Sequence, residues 1–125
     1  MNAEARRLFE FAEKKLAGAE KVLTIELYEV AGREAYLAAL AAARAVIVNT
    51  GKKSPKMHDG ARTVFAALIR EGLAFDNRLA KFLADGYEIK SAADYADGAP
   101  VGQRDAEDAI RTAQAFLQAI RIILT

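Results

Sequence analysis

The chain has 125 residues, 53% of them hydrophobic, a formal net charge of +1 and no cysteine. That length suits one domain with its own apolar core, and the composition excludes a disordered chain, while the lack of cysteine excludes disulfides and thiolate metal sites. Charge balance, with Lys+Arg 18 against Asp+Glu 17, excludes a global basic field for nucleic acid and leaves only a local basic cleft.

The opening MNAEARRLFEF turns amphipathic and charged at once, without the apolar core of a signal peptide. No stretch approaches the roughly 20 apolar residues of a membrane span, so we read a cytoplasmic protein. A first helix is predicted over 3–24, where Ala5, Leu8, Phe9, Ala12, Leu16, Ala19 and Leu23 share one face. Residues 27–50 predict a long alanine-packed helix carrying Tyr36 and Arg44, thin enough for neighbours to come close, and ended by Gly51. Ser54 and Pro55 read as the N-cap and first position of a third helix that turns Ala61, Val64, Phe65, Leu68 and Ile69 inward and stops at Gly72. A fourth helix starts near Asp76 with the stripe Leu79, Phe82, Leu83, Gly86, Ile89, Lys90 and Ala93. Gly86 and Lys90 are its odd members. The segment 96–103 reads as a loop, and Asp105 as the cap of a last helix with Ala106, Ala109, Ile110, Ala113, Phe116, Leu117, Ile120 and Leu124 inward. The whole, 1–125, reads as a single all-α domain, a five-helix antiparallel up-and-down bundle.

Polar residues set into apolar faces are the candidate functional groups. His58 is the one histidine, and no HxxxH or HExxH spacing accompanies it, so no metal site is expected. Its place at a helix start sets it away from the KSAADY stretch unless a dimer brings the two together. Within KSAADY, Lys90 and Asp94 are i,i+4 neighbours able to pair. Tyr95 stands about 140° around the helix from Lys90, so those two converge only at a bend, an end or a second subunit. Arg44 on an apolar helix needs a carboxylate or a phosphate. Asp94, Asp97 and Glu88 are the structural candidates. Tyr36, Arg44, Lys90, Asp94 and Tyr95 are expected to approach one another between the second and fourth helices.

These pieces together resemble the HEPN family (higher eukaryote and prokaryote nucleotide-binding domain), in the small stand-alone prokaryotic branch often paired with a minimal nucleotidyltransferase. LYEVAGREAYLAALAAARAVI resembles that branch's tyrosine-rich helix, GKKSPKMHDGARTVF its stretch before an apolar helix, YEIKSAADY its LRxxADY motif, and DAEDAIRTAQAFLQAI its closing helix. Tyr36, Arg44, His58, Gly60, Asp94 and Tyr95 match. Lys90 replaces the motif arginine, Tyr95 closes the motif without a histidine, and Leu37, Leu40 and Ala41 replace family tyrosine, phenylalanine and histidine or tyrosine positions. The resemblance implies a helical bundle that dimerises and that binds a nucleotide or RNA, through Tyr36, Arg44 and His58, or a nucleotidyltransferase partner, with a degenerate catalytic motif and no cofactor. The rival implication is a metal-independent endoribonuclease toxin of a toxin–antitoxin pair, using Lys90, Asp94 and Tyr95, with His58 as a further candidate at a dimer cleft. A third reading is a structural helical partner without ligand. Lysine supplies charge without arginine's bidentate fork, and tyrosine is a poor base at neutral pH, which favours the first reading.

Overall fold

Alanine makes the second helix thin enough to be surrounded. The computed structural model describes the backbone of residues 1–94 and 101–125 and, apart from 88, 89 and 91–94, their side chains. Six helices follow in order: α1 (Ala3–Thr24), α2 (Tyr28–Asn49), α3 (His58–Arg70), α4 (Asn77–Ala80), α5 (Phe82–Asp94) and α6 (Gln103–Leu124). There is no strand among the described residues. The all-α bundle is as expected: five helices of 13 or 22 residues carry it, and α4 is a single turn. α2 is its axis, packed against α1, α3, α5 and α6. Ala31, Ala35, Ala38, Ala39, Ala42, Ala43 and Ala45 are fully buried, so this helix is apolar nearly all round, as a central helix must be.

Side chains at the helix ends set the directions of the chain. Asn2 caps α1 by accepting the Ala5 N–H at 2.8 Å, and it donates to the Val48 carbonyl and, through its own backbone N–H, to Asn49 Oδ1, both at 2.9 Å. The start of α1 therefore lies at the end of α2. The two helices are joined by a turn in which Glu26 takes a left-handed φ of 65°. There Leu27 N–H bonds the Val22 carbonyl and Glu26 N–H the Leu23 carbonyl, a Schellman closure. The same closure ends α3 at Gly72, where glycine meets the positive φ of 116° without a side-chain clash. Tyr28 Oη donates to Gln103 Oε1 at 3.4 Å, so α6 starts beside the start of α2. Its far end returns to α1, where Arg121 bonds Glu13 at 2.7 Å and lies over the Phe9 ring. Every residue of the expected α6 stripe is buried, and Phe116 meets Phe65 and Phe75 at centroid distances of 5.8 and 4.9 Å.

Three boundaries differ from expectation. α3 begins at His58, with Met57 in the cap position, rather than at Ser54 and Pro55. Pro55 instead packs on Gly60, where an added Cβ would lie 2.8 Å from the proline Cβ. The segment 51–57 runs back along α2, so that α3 leaves from the level of Tyr36 and its end returns to Lys52, which pairs with Glu71 at 3.9 Å. The fourth helix is broken at Lys81: Asp76 caps α4 as expected, and α5 restarts at Phe82. Gly102, not Asp105, is the cap residue of α6; Asp105 sits one turn in and accepts the Gly102 N–H at 3.0 Å. Most of the expected loop, residues 95–100, lies outside the described residues.

Gly86 marks the closest approach of α5 to α2. A Cβ there would stand 2.7 Å from Tyr36 Cδ1 and 3.3 Å from two Phe82 ring atoms. Alanine gains roughly 1 kcal/mol of helix propensity over glycine, but overpacking a ring contact costs about 1–3 kcal/mol. Gly86→Ala should therefore lower stability in urea unfolding. Gly18→Ala on α1, where a Cβ meets nothing within 4 Å, should raise it by about 0.5–1 kcal/mol. Equal shifts in the two variants would contradict this account of Gly86.

Candidate nucleotide site

Tyr36 is the largest fully buried side chain in the described chain, and it projects from α2 toward α3 and α5. Its hydroxyl lies 3.5 Å from His58 Nδ1, and the two rings stack at a centroid distance of 5.9 Å with 24° between planes. Tyr87, in the first half of α5, closes edge-on against both, at 6.1 Å from Tyr36 and 6.0 Å from His58. Tyr87 is 37% exposed, so the three rings run from the core to the surface. Gly86 lets α5 approach closely enough for Tyr87 to reach the other two rings.

Cations gather around these rings. The Arg62 guanidinium carbon lies 5.0 Å from the Tyr87 centroid, and Lys90 Nζ lies 6.0 Å from it, both within cation–π reach. Arg62 also bonds Asp59 one turn back on α3. Arg44, two turns along α2 from Tyr36, donates to the Lys56 carbonyl at 3.0 Å and so holds the folded-back segment in place. Among the described residues, the buried Nε atoms of Arg44 and Arg62 have no hydrogen-bond partner.

The HEPN domain model matches residues 5–123. The chain belongs to the HEPN domain family. It is similar to two proteins of Methanocaldococcus jannaschii. One, named "Putative toxin MJ0142", is 26% identical over 114 residues, which are 91% of this chain and 77% of that protein. The other, named "Putative toxin MJ0605", is 29% identical over 119 residues, 94% of this chain and 87% of that protein. The crystal structure of TT1696 from Thermus thermophilus superposes with a TM-score of 0.76 at 24% identity, over 97% of this chain and 98% of that one, a likeness of fold.

In this HEPN domain the sequence-predicted residues divide in two. Tyr36, Arg44, His58 and Lys90 come together within one chain: His58 touches Tyr36, and its imidazole is acted on by Lys90 and Arg44. The expectation that a helix-start position sets His58 apart from the KSAADY stretch is corrected. Segment 51–57 folds back and delivers the α3 start to the side of α2 that α5 also covers. Arg44 donates to the backbone carbonyl of Lys56. The side chain of Asp94, the whole of Tyr95 and Asp97, and the side chain of Glu88 lie outside the described residues. Sequence reasoning missed Arg62, Asp59 and Tyr87. Their signal was helical spacing: Arg62 is four residues after His58, and Tyr87 is three before Lys90, distances at which side chains share a face. Among the described residues no group of three or more metal-ligating side chains occurs.

Electrostatics leaves the interior of the site neutral. Burial pushes the Tyr36 hydroxyl up to about 12, against the opposing pull of Arg62 and Arg44. Burial is also the main cause that lowers His58, and Lys90, Arg44 and Arg62 lower it further while Asp59 opposes them. Arg44 is lowered by burial too, yet guanidinium stays charged at any ordinary pH. At neutral pH the site thus holds an uncharged phenol and an uncharged imidazole beside positive side chains. When Tyr36 donates to Nδ1, the imidazole proton sits on Nε2.

Because the sequence has one histidine, its titration is directly readable by NMR. The His58 midpoint should fall below its ordinary 6.5. The unfolded chain then takes up the proton first, so the stability from neutral His58 is complete above about pH 6.5 and is lost as pH falls through the folded value. A His58→Gln variant should lose that part of the pH dependence. A midpoint at or above 6.5 would show that the imidazole is not desolvated beside cations.

Proposed function

We propose that this HEPN domain binds a nucleotide, free or within RNA, at the Tyr36–His58–Tyr87 stack, with Arg44, Arg62 and Lys90 supplying the charge for its phosphate. The observation that carries the reading is the convergence of cations on a neutral aromatic stack. Anions lower the cost of clustered positive charge, and the stack and its cations together mark where a phosphate would sit. The likeness to two relatives named as toxins supports placing the chain as the toxin-like member of a pair. In this reading it forms a homodimer and works with a nucleotidyltransferase partner.

A second reading is favoured by one feature, the electrostatic influence of the cations on His58. Metal-independent RNA cleavage needs a base for the 2′-hydroxyl and positive charge for the phosphorane. A neutral imidazole beside Lys90, Arg44 and Arg62 has both ingredients. That step needs the other tautomer, in which Nδ1–H donates to Tyr36 Oη and Nε2 is free: the 2′-oxygen attacks phosphorus, Nε2 takes its proton, and the 5′-oxygen leaves with a proton from water, giving a 2′,3′-cyclic phosphate and a 5′-hydroxyl.

Titration calorimetry with adenosine phosphates tests the first reading. Arg44→Ala and Lys90→Ala should each weaken binding about tenfold to a hundredfold, the worth of a charge-assisted hydrogen bond. Lys90→Ala leaves the Arg44–Lys56 contact in place, so the two variants separate loss of charge from loosening of residues 51–57. Absence of binding by wild type, or unchanged binding in both variants, would overturn the reading. The second reading is tested on mixed RNA with a chelator present. Cleavage that falls roughly 10²–10⁴-fold in His58→Ala would establish it.

A further inference from the structure

A groove of about 460 Å³ opens between α3 and the α4–α5 elbow, a size within the range of small-molecule sites. Asp59 and Arg62 stand at its polar end, Leu83 is nearly buried in its wall, and the small side chains of Ala66, Ala80 and Ala84 keep it open. Its polarity is graded. The charged groups lie on the first turns of α3, and the rest of the wall is apolar apart from the Thr63 hydroxyl. Arg62 belongs to both places, since it lines the groove and its guanidinium carbon lies 5.0 Å from the Tyr87 centroid.

A ligand that fits both places has a flat apolar body joined to an anion. The geometry points to this groove as the base-binding half of the site: it takes the nucleobase of a nucleotide whose phosphate meets the Arg62–Tyr87–Lys90 surface. This rests on the nucleotide-binding reading above and names the part of the ligand that reading leaves open. Bases stack on guanidinium planes and apolar surfaces, and a base is thin enough to lie between two alanine-lined helices. Arg62 is then the positioning residue at the junction, its plane toward the base and its donors toward the phosphate.

The test compares adenosine monophosphate, ribose 5-phosphate and a six-residue oligoadenylate, followed by the single His58 imidazole signal in NMR titrations. Ala66→Leu and Ala84→Leu fill the groove from opposite helices. Both positions are exposed, and leucine is a good helix former. Ala115→Leu, exposed on α6, is the control. Wild type should bind adenosine monophosphate at least about tenfold more tightly than ribose 5-phosphate, the order of one stacked base. Either filled variant should erase that advantage and leave ribose 5-phosphate affinity unchanged, while Ala115→Leu should keep it. A groove-dependent advantage seen with oligoadenylate but not with the monophosphate would support the inference and identify RNA as the source. Ribose 5-phosphate binding with no advantage for the base, or an advantage that survives both fillings, would overturn the groove assignment alone. If no phosphate compound moves the imidazole signal, the functional reading fails and the inference fails with it.

Discussion

The contact between Tyr36 and Gly86 is the constraint on which the site depends. α2 is thin because alanine covers it, and the one large ring it buries needs space that only a residue without a side chain can leave on α5. A buried phenol also needs a polar neighbour. His58 supplies it, which requires the start of α3 to lie beside α2 rather than beyond its end. Segment 51–57 must then double back, and Arg44 anchors it by its carbonyl at Lys56. Pro55 against Gly60 tightens the same turn. The site is thus assembled by one ring and the backbone movements needed to satisfy it.

The charge arrangement follows from that packing. Burial keeps the inner groups, Tyr36 and His58, uncharged, and the positive charge sits at the rim on Arg44, Arg62 and Lys90. On the proposed reading the cations would hold a phosphate beside an imidazole able to exchange a proton. In this HEPN domain the imidazole that the cations act on stands at the first turn of α3. A stable scaffold around it is provided by α1 and α6, whose aromatic and alanine contacts lie on the other sides of α2.

Much was legible in the sequence because it is local. Periodicity gave the α1 and α6 faces residue by residue, since a helix in water must turn one stripe inward whatever its neighbours. Glycine at 51 and 72 ended helices because their positive φ is a property of a few residues. Alanine density alone identified α2 as the surrounded helix. Ser54–Pro55 misled for the same reason: the signal is sound for an isolated helix start, but here the tertiary demand for a folded-back segment outweighed it.

What the sequence by itself determined is the helical content, the central position of α2 and the residue types available for a site, all consequences of propensity and spacing within one segment. Only the tertiary structure decided which of those residues meet. Nothing in the spacing of His58, Arg62 and Tyr87 states that α3 and α5 cover the same side of α2. That follows from the fit of the Tyr36 ring over Gly86 and from the path of residues 51–57, and long-range packing of this kind is encoded in shapes that touch rather than in neighbours along the chain.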